Sequence, residues 1–142
     1  MGNQPSLIHL LHRASQVAED RLTRELGDVD VTPRQLAVLG AIEAHDGASQ
    51  TDIVVATGVD RSTVADMVRR LLKRGLVSRK RTMDDARAYA VQLTNAGRRV
   101  LAKAEPVMQR VEAELLPVKK RAELVALLGD LAEKGAKVKL PV

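Results

Sequence analysis

Between residues 61 and 81 the chain carries Arg61, Arg69, Arg70, Lys73, Arg74, Arg79, Lys80 and Arg81 against a single acid, Asp66. Eight cations and one anion give this stretch a net charge of +7, whereas the whole 142-residue chain is only +5, so everything outside it nets −2. Charge concentrated in this way suits the capture of a polyanion, through ion pairs to phosphates and hydrogen bonds from guanidinium groups. Ser62 and Thr63 add hydroxyls beside Arg61, and Ser49 and Gln50 add polar side chains upstream. Further on, Asp84, Asp85 and Arg87 share a short polar segment. An arginine at the tip of a projecting turn has the length and charge to enter a narrow minor groove. Asp85 is either its charge-assisted brace or simply a turn former, a position aspartate favours for local reasons.

These side chains need rigid elements beneath them. Residues 49–80 read as two short helices joined by a tight turn. Ser49 supplies a capping oxygen, Ile53, Val54 and Ala56 follow at helical spacing, and Gly58 permits the left-handed backbone that ends the first helix. Asp60 caps a second helix from Arg61. There Val64, Met67, Val68, Leu71 and Leu72 share one face, which turns Arg61, Ser62, Ala65, Asp66, Arg69, Arg70 and Lys73 away from it. This is the pattern of a helix-turn-helix that docks on DNA. Gly75 sits where a helix terminator belongs, and LVSRKR and AYAVQL then form two strand-like runs around TMDDAR, a hairpin wing. Leu76 and Ser78 alternate with Val77 and Arg79 in the first run, and Tyr89, Val91 and Leu93 with Ala88, Ala90 and Gln92 in the second.

On either side the chain is helical. Residues 6–26, entered at Pro5, place Leu7, Leu10, Leu11, Ala14, Val17, Ala18, Leu22 and Leu26 at three- and four-residue steps and stop near Gly27. Thr32 and Gln35 spell a capping box around Pro33, and the helix that follows has Leu36, Leu39, Gly40 or Ala41, and Ile42 on its core face, closing at Asp46 and Gly47. After Thr94, another cap, Val100, Leu101, Ala104, Val107, Met108, Val111 and Leu115 form one stripe, with Pro106 expected to bend the helix without splitting it. Pro117 marks a boundary before a last amphipathic helix through Leu124, Leu127, Leu128 and Leu131, and residues 135–142 trail off as a basic tail. Stripes this wide on terminal helices need a partner surface, in the same chain or in a second copy.

Composition narrows the function. Cysteine is absent, so disulfides, thiolate metal sites and thiol redox sensing by this chain are excluded. One aromatic residue, Tyr89, leaves a core of aliphatic side chains and favours close helix packing. No basic n-region precedes the first apolar residues and no apolar run approaches membrane-spanning length, so the expectation is a cytoplasmic protein without a membrane partner. No phosphate loop, nucleophile elbow or paired-acid pattern is present, and the serines lie at caps, which argues against an enzyme. His9 and His12 lie one helical turn apart and His45 stands elsewhere. Without a carboxylate or thiol at ligand spacing, these three read as weak candidates for lining a small-molecule pocket or the surface between two copies, with no metal or other cofactor expected.

Taken together, GVDRSTVADMVRRLLKRGLV at residues 58–77, DDAR at 84–87 and LTNAG at 93–97 resemble the MarR family of bacterial transcription regulators, and the resemblance spans nearly the whole chain. It implies a fold that is mainly α with a small β-hairpin wing, a winged helix-turn-helix with N- and C-terminal dimerisation helices. The corresponding division is residues 1–31 for the N-terminal dimerisation helix, 32–97 for the winged DNA-binding domain and 98–142 for the C-terminal dimerisation helices. It further implies a homodimeric repressor on a pseudo-palindromic double-stranded operator, released by a small aromatic or phenolic acid held between the dimer helices and the winged domain. Arg61, Ser62, Thr63 and Asp66 then lie where base edges are met and Arg87 where the wing reaches the minor groove. Family wings often read D-R-R; here Ala86 replaces the middle arginine, leaving the minor-groove grip to Arg87.

Plainer readings stand beside these. Arg69, Arg70, Lys73 and Arg74 form either a phosphate-holding surface, shared with Arg79 and Arg81, or only a solvated helix face. Asp66 either accepts from a cytosine amino group or pairs with Arg69 or Arg70 at helical spacing. Other functional classes are a ligand-independent architectural DNA binder and a winged-helix module for protein interaction; the +7 segment argues against the second.

Overall fold

Five side chains start five helices. Ser6, Thr32, Ser49, Asp60 and Thr94 each turn an oxygen onto a backbone N–H three residues on, opening α1 (Leu7–Leu26), α2 (Pro33–Ala44), α3 (Gln50–Thr57), α4 (Arg61–Lys73) and α5 (Asn95–Leu115). Such oxygens satisfy donors that have no partner within a helix, so the order of caps in the sequence is the order of helices in the fold. A sixth helix, α6 (Val118–Lys137), follows Pro117. The computed structural model describes residues 4–45, 47–81 and 89–137. Thr32 and Gln35 complete the expected capping box, and Ser49 forms a second one with Asp52, whose carboxylate accepts from the Ser49 N–H at 2.9 Å. That backbone bond, with the Ser49 hydroxyl, holds the Asp52 pKa below its ordinary value. Helix α5 runs unbroken through Pro106.

Strands β1 (Val77–Arg81) and β2 (Tyr89–Leu93) form an antiparallel hairpin in which Val77 faces Leu93, Arg79 faces Val91 and Arg81 faces Tyr89. The segment between them, with Asp84, Asp85 and Arg87, lies outside the described residues. The simple alternation expected for both strands gives way at the base, where Leu76 and Val77, and then Ala90 and Val91, are buried in succession. Beside β2, Ala48 bridges to Val91 and Gly47 lies against Ala90, so this end of the hairpin is enclosed and not half-solvated.

The core is aliphatic and continuous. Leu39, Ile42, Ile53, Leu71, Val38, Val64, Val68 and Val91 are its largest fully buried side chains, and Leu26, Val31 and Ala104 extend it into the flanking segments. Burying such side chains supplies most of the favourable free energy of folding, at about 25 cal/mol per Å² of apolar surface. Helix α2 packs against α1, α3, α4, α5 and β2. A helix surrounded in this way has no single inner face, which is why Val38 is as buried as Leu39 although it lies off the stripe read from the sequence, while Gly40 is exposed. In the short α3 only Ile53 is fully buried, and Ala56 is exposed.

Candidate nucleic-acid interface

Helix α4 buries Val64, Met67, Val68 and Leu71 and leaves Arg61, Ser62, Arg69, Arg70 and Lys73 exposed, with Thr63, Ala65 and Asp66 half-buried. Its first turn is organised by Asp60. One carboxylate oxygen accepts from the Thr63 N–H at 3.0 Å and the Ser62 hydroxyl at 2.6 Å, while the other accepts from the Thr63 hydroxyl at 2.7 Å. The Ser62 hydroxyl first, then the Thr63 hydroxyl and N–H, favour the charged form and bring the Asp60 pKa down to about 2. Both hydroxyl protons are thus committed to the cap, which leaves their lone pairs as acceptors. Groups of that kind match the exocyclic amino groups of adenine and cytosine. Arg61 donates to the Thr51 hydroxyl at 3.1 Å, so its guanidinium lies across the start of α3. Asp66 takes the intrahelical pairing, with Arg70 Nε at 3.2 Å and an Arg69 nitrogen at 3.6 Å. Exposed pairs like these contribute little stability, and they soften the net charge of the outer face.

The far end of α4 fixes the wing. Gly75, at φ +71°, lets its N–H reach the Leu72 carbonyl and that of Leu76 reach the Leu71 carbonyl, both at 3.0 Å, which closes the helix. The Leu76 carbonyl then accepts from the Thr94 N–H at 3.1 Å, and the Thr94 hydroxyl donates to the Gly75 carbonyl at 2.6 Å while accepting from the Gly97 N–H at 3.1 Å. Gly97 has no room for a side chain: a Cβ there would lie 2.1 Å from the Leu76 oxygen. The G-L-V and L-T-x-x-G segments are therefore two halves of one junction.

On the wing itself Arg79, Lys80 and Arg81 are exposed, and the Arg79 guanidinium sits over the Tyr89 ring, 5.6 Å from its centroid. A cleft of about 400 Å³, lined by Ser49, Gln50, Thr51, Arg61, Arg79 and Tyr89, separates the starts of α3 and α4 from the strands. The fold thus gathers Ser49, Gln50, Arg61 and Arg79 around one opening, with Arg69, Arg70 and Lys73 further along α4; Asp85 and Arg87 fall outside the described residues. Thr51 and Tyr89 belong to this surface although charge and hydropathy gave no reason to single them out. The cross-strand spacing of Tyr89 and Arg79 was the one available signal, and it required the register.

A second crevice, of about 630 Å³, lies between α1, α2 and the turn that leads into α4, with Ser15, Glu19, Leu22, Pro33, Arg34 and Asp60 on its walls. None of the three histidines lines it; His9, His12 and His45 are exposed at the start of α1 and the end of α2. Among the described residues no group of three or more His, Asp or Glu side chains is placed to hold a metal ion, and no helix is long and apolar enough to cross a membrane.

Residues 29–88 match the family model described as the MarR family. The transcriptional regulator HosA of Escherichia coli is 36% identical over 116 residues, which span 82% of this chain and 84% of HosA. Among solved structures, the transcriptional repressor CouR bound to a 23-mer DNA duplex superposes with a TM-score of 0.81 at 30% identity, covering 89% of this chain and 92% of CouR. BpsR of Bordetella bronchiseptica, whose DNA binding is regulated by 6-hydroxynicotinic acid, superposes with a TM-score of 0.79 at 29% identity, covering 87% and 96%. Capped helices, an outward basic face on α4, a wing locked to its end and these likenesses converge: the chain belongs to the MarR family of winged-helix, DNA-binding transcriptional regulators.

Proposed function

We propose that the chain acts as a homodimeric repressor that binds a pseudo-palindromic operator and is released by a small aromatic or phenolic acid. The observation that carries this reading is the pairing of a basic, solvent-facing α4 with apolar stripes left uncovered on the terminal helices. Leu7, Ile8, Leu10 and Val17 of α1 and Leu124, Val125, Leu127, Leu128 and Leu131 of α6 are all exposed in the single chain. Apolar surface on that scale marks an interaction site, and a two-fold partner presenting the same two helices covers it with like against like. In such a dimer each α4 enters a major groove, with half-site centres about 34 to 36 Å apart or a whole multiple of a helical turn. Ser62, Thr63 and Arg61 then meet base edges, Ser49, Gln50, Arg69, Arg70, Lys73, Arg79 and Arg81 hold phosphates, and Arg87, flanked by Asp85, reaches the minor groove.

The crevice of about 630 Å³ suits the inducer, since it offers Arg34 to a carboxylate and Glu19 or Asp60 to a hydroxyl beside apolar Leu22 and Pro33. Because it borders the Asp60 cap, a ligand that binds the two dimer states unequally shifts the spacing of the two α4 helices. The regulation of BpsR by a hydroxylated aromatic acid supports this ligand class.

The test combines three measurements. Light scattering should give twice the chain mass, and Leu124→Glu with Leu128→Glu should give a monomer. Footprinting should show two protected half-sites. A panel of hydroxybenzoates and hydroxynicotinates should contain acids that dissociate the complex, an effect weakened by Arg34→Ala. A monomeric wild-type chain, or duplex binding that saturates without sequence preference, would reject the reading.

A further inference from the structure

Tyr89 is the sole aromatic residue of the chain, and it stands on the wing where nothing in the core requires it. In the hairpin register Arg79 faces Val91, so Tyr89 lies two residues from that partner and projects on the same side as Arg79. The residue is 43% exposed, and its ring carries the Arg79 guanidinium 5.6 Å from the centroid. Across the cleft of about 400 Å³ stands Arg61, itself held by the Thr51 hydroxyl at 3.1 Å, and among the described residues no carboxylate lines the opening.

We propose that Tyr89 is a positioning residue for DNA binding: its ring holds Arg79 at the mouth of this cleft, where Arg79 and Arg61 clamp one backbone phosphate between the wing and the helix-turn-helix. The proposal rests on the DNA-binding reading given above. An arginine on a solvated strand samples many rotamers, and most of that freedom is lost when it captures a phosphate. Placing the guanidinium over a ring spends part of that entropy in advance. It also leaves the in-plane N–H donors free, because the cation engages the ring through its face. The contact is sequence-independent, since it addresses phosphate and not a base.

The experiment titrates a labelled duplex of arbitrary sequence by fluorescence anisotropy over a range of salt concentrations. The proteins are the wild type, Tyr89→Phe, Tyr89→Leu, Arg79→Ala and the double variant Arg79→Ala with Tyr89→Leu. Tyr89→Leu should weaken binding about fivefold, the equivalent of ~1 kcal/mol, and lower the salt slope by about one unit. Tyr89→Phe, which keeps the ring, should retain both. On the Arg79→Ala background, Tyr89→Leu should cost nothing further. Equal affinity and salt slope in Tyr89→Leu and the wild type would overturn the positioning role while leaving DNA binding intact. An undiminished effect of Tyr89→Leu in the absence of Arg79 would overturn it as well, since a merely structural tyrosine behaves that way. A wild type that fails to bind duplex at all would remove this proposal and the DNA-binding reading together.

Discussion

Ala48 and Val91 exchange both of their backbone hydrogen bonds, at 3.1 and 2.7 Å, and thereby tie the residue before the α3 cap to the middle of β2. Through this bridge the entrance of the helix-turn-helix and the wing share a backbone. Hydrogen exchange should therefore find the amides of Ala48 and Val91 among the slowest outside the helices, opening only with the domain as a whole. Fast exchange at Ala48 would mean that the wing moves independently of α3.

Two glycine-to-alanine changes should have opposite signs. Gly40 lies in α2 with open space around its missing Cβ, so Gly40→Ala should stabilise the chain by about 0.5–1 kcal/mol. Gly97 lies in α5 against the Leu76 carbonyl, and there the same change should destabilise by about 1–3 kcal/mol despite the better helix former. Urea denaturation of both variants measures the contrast, and a neutral Gly97→Ala would show that the junction yields easily.

Much of this was legible in the sequence because it is local. Thr32 with Gln35, Ser49, Asp60 and Thr94 announce their helices within three residues, and the α4 face follows from periodicity alone. What was not legible depends on contacts between distant segments. Val38 is buried because α2 is surrounded, Ala48 joins the wing because the fold returns β2 to it, and Tyr89 finds Arg79 only once the hairpin register is set. Among the candidate site residues, the basic cluster was visible as composition. The commitment of the Ser62 and Thr63 protons to Asp60 depends on side-chain geometry that residue spacing does not specify.

The Asp60 cap makes stability depend on acid. Its folded pKa, about 2, lies below the ordinary 3.8, so the charged carboxylate contributes stability that is fully present above the higher value and is lost as pH falls through the lower one. Thermal midpoints of the wild type should accordingly fall between pH ~4 and ~2 more steeply than those of Asp60→Asn, which retains a capping oxygen but no charge. Parallel curves for the two proteins would remove Asp60 as the source.

Asp66 offers a test of how the α4 face is shared between structure and recognition. Its carboxylate is occupied by Arg69 and Arg70, so Asp66→Asn should release both cations and raise affinity for duplexes of arbitrary sequence about three- to fivefold at low salt. A selective loss at the operator, without that general gain, would instead assign Asp66 to a cytosine amino group.

The junction around the Leu76 carbonyl also bears on how such a protein can be re-engineered. Recognition surfaces are often imagined as interchangeable, with a reading helix lifted from one relative into another. Here the end of α4, the root of the wing and the first turn of α5 share three backbone hydrogen bonds, the bond from the Thr94 hydroxyl to the Gly75 carbonyl, and the close approach of Gly97 to the Leu76 carbonyl. A graft that changes operator preference can replace the outward residues of α4 one by one. A transplanted segment, however, must carry residues 75–77 and 94–97 as a matched set, or the new helix arrives with its wing aimed elsewhere.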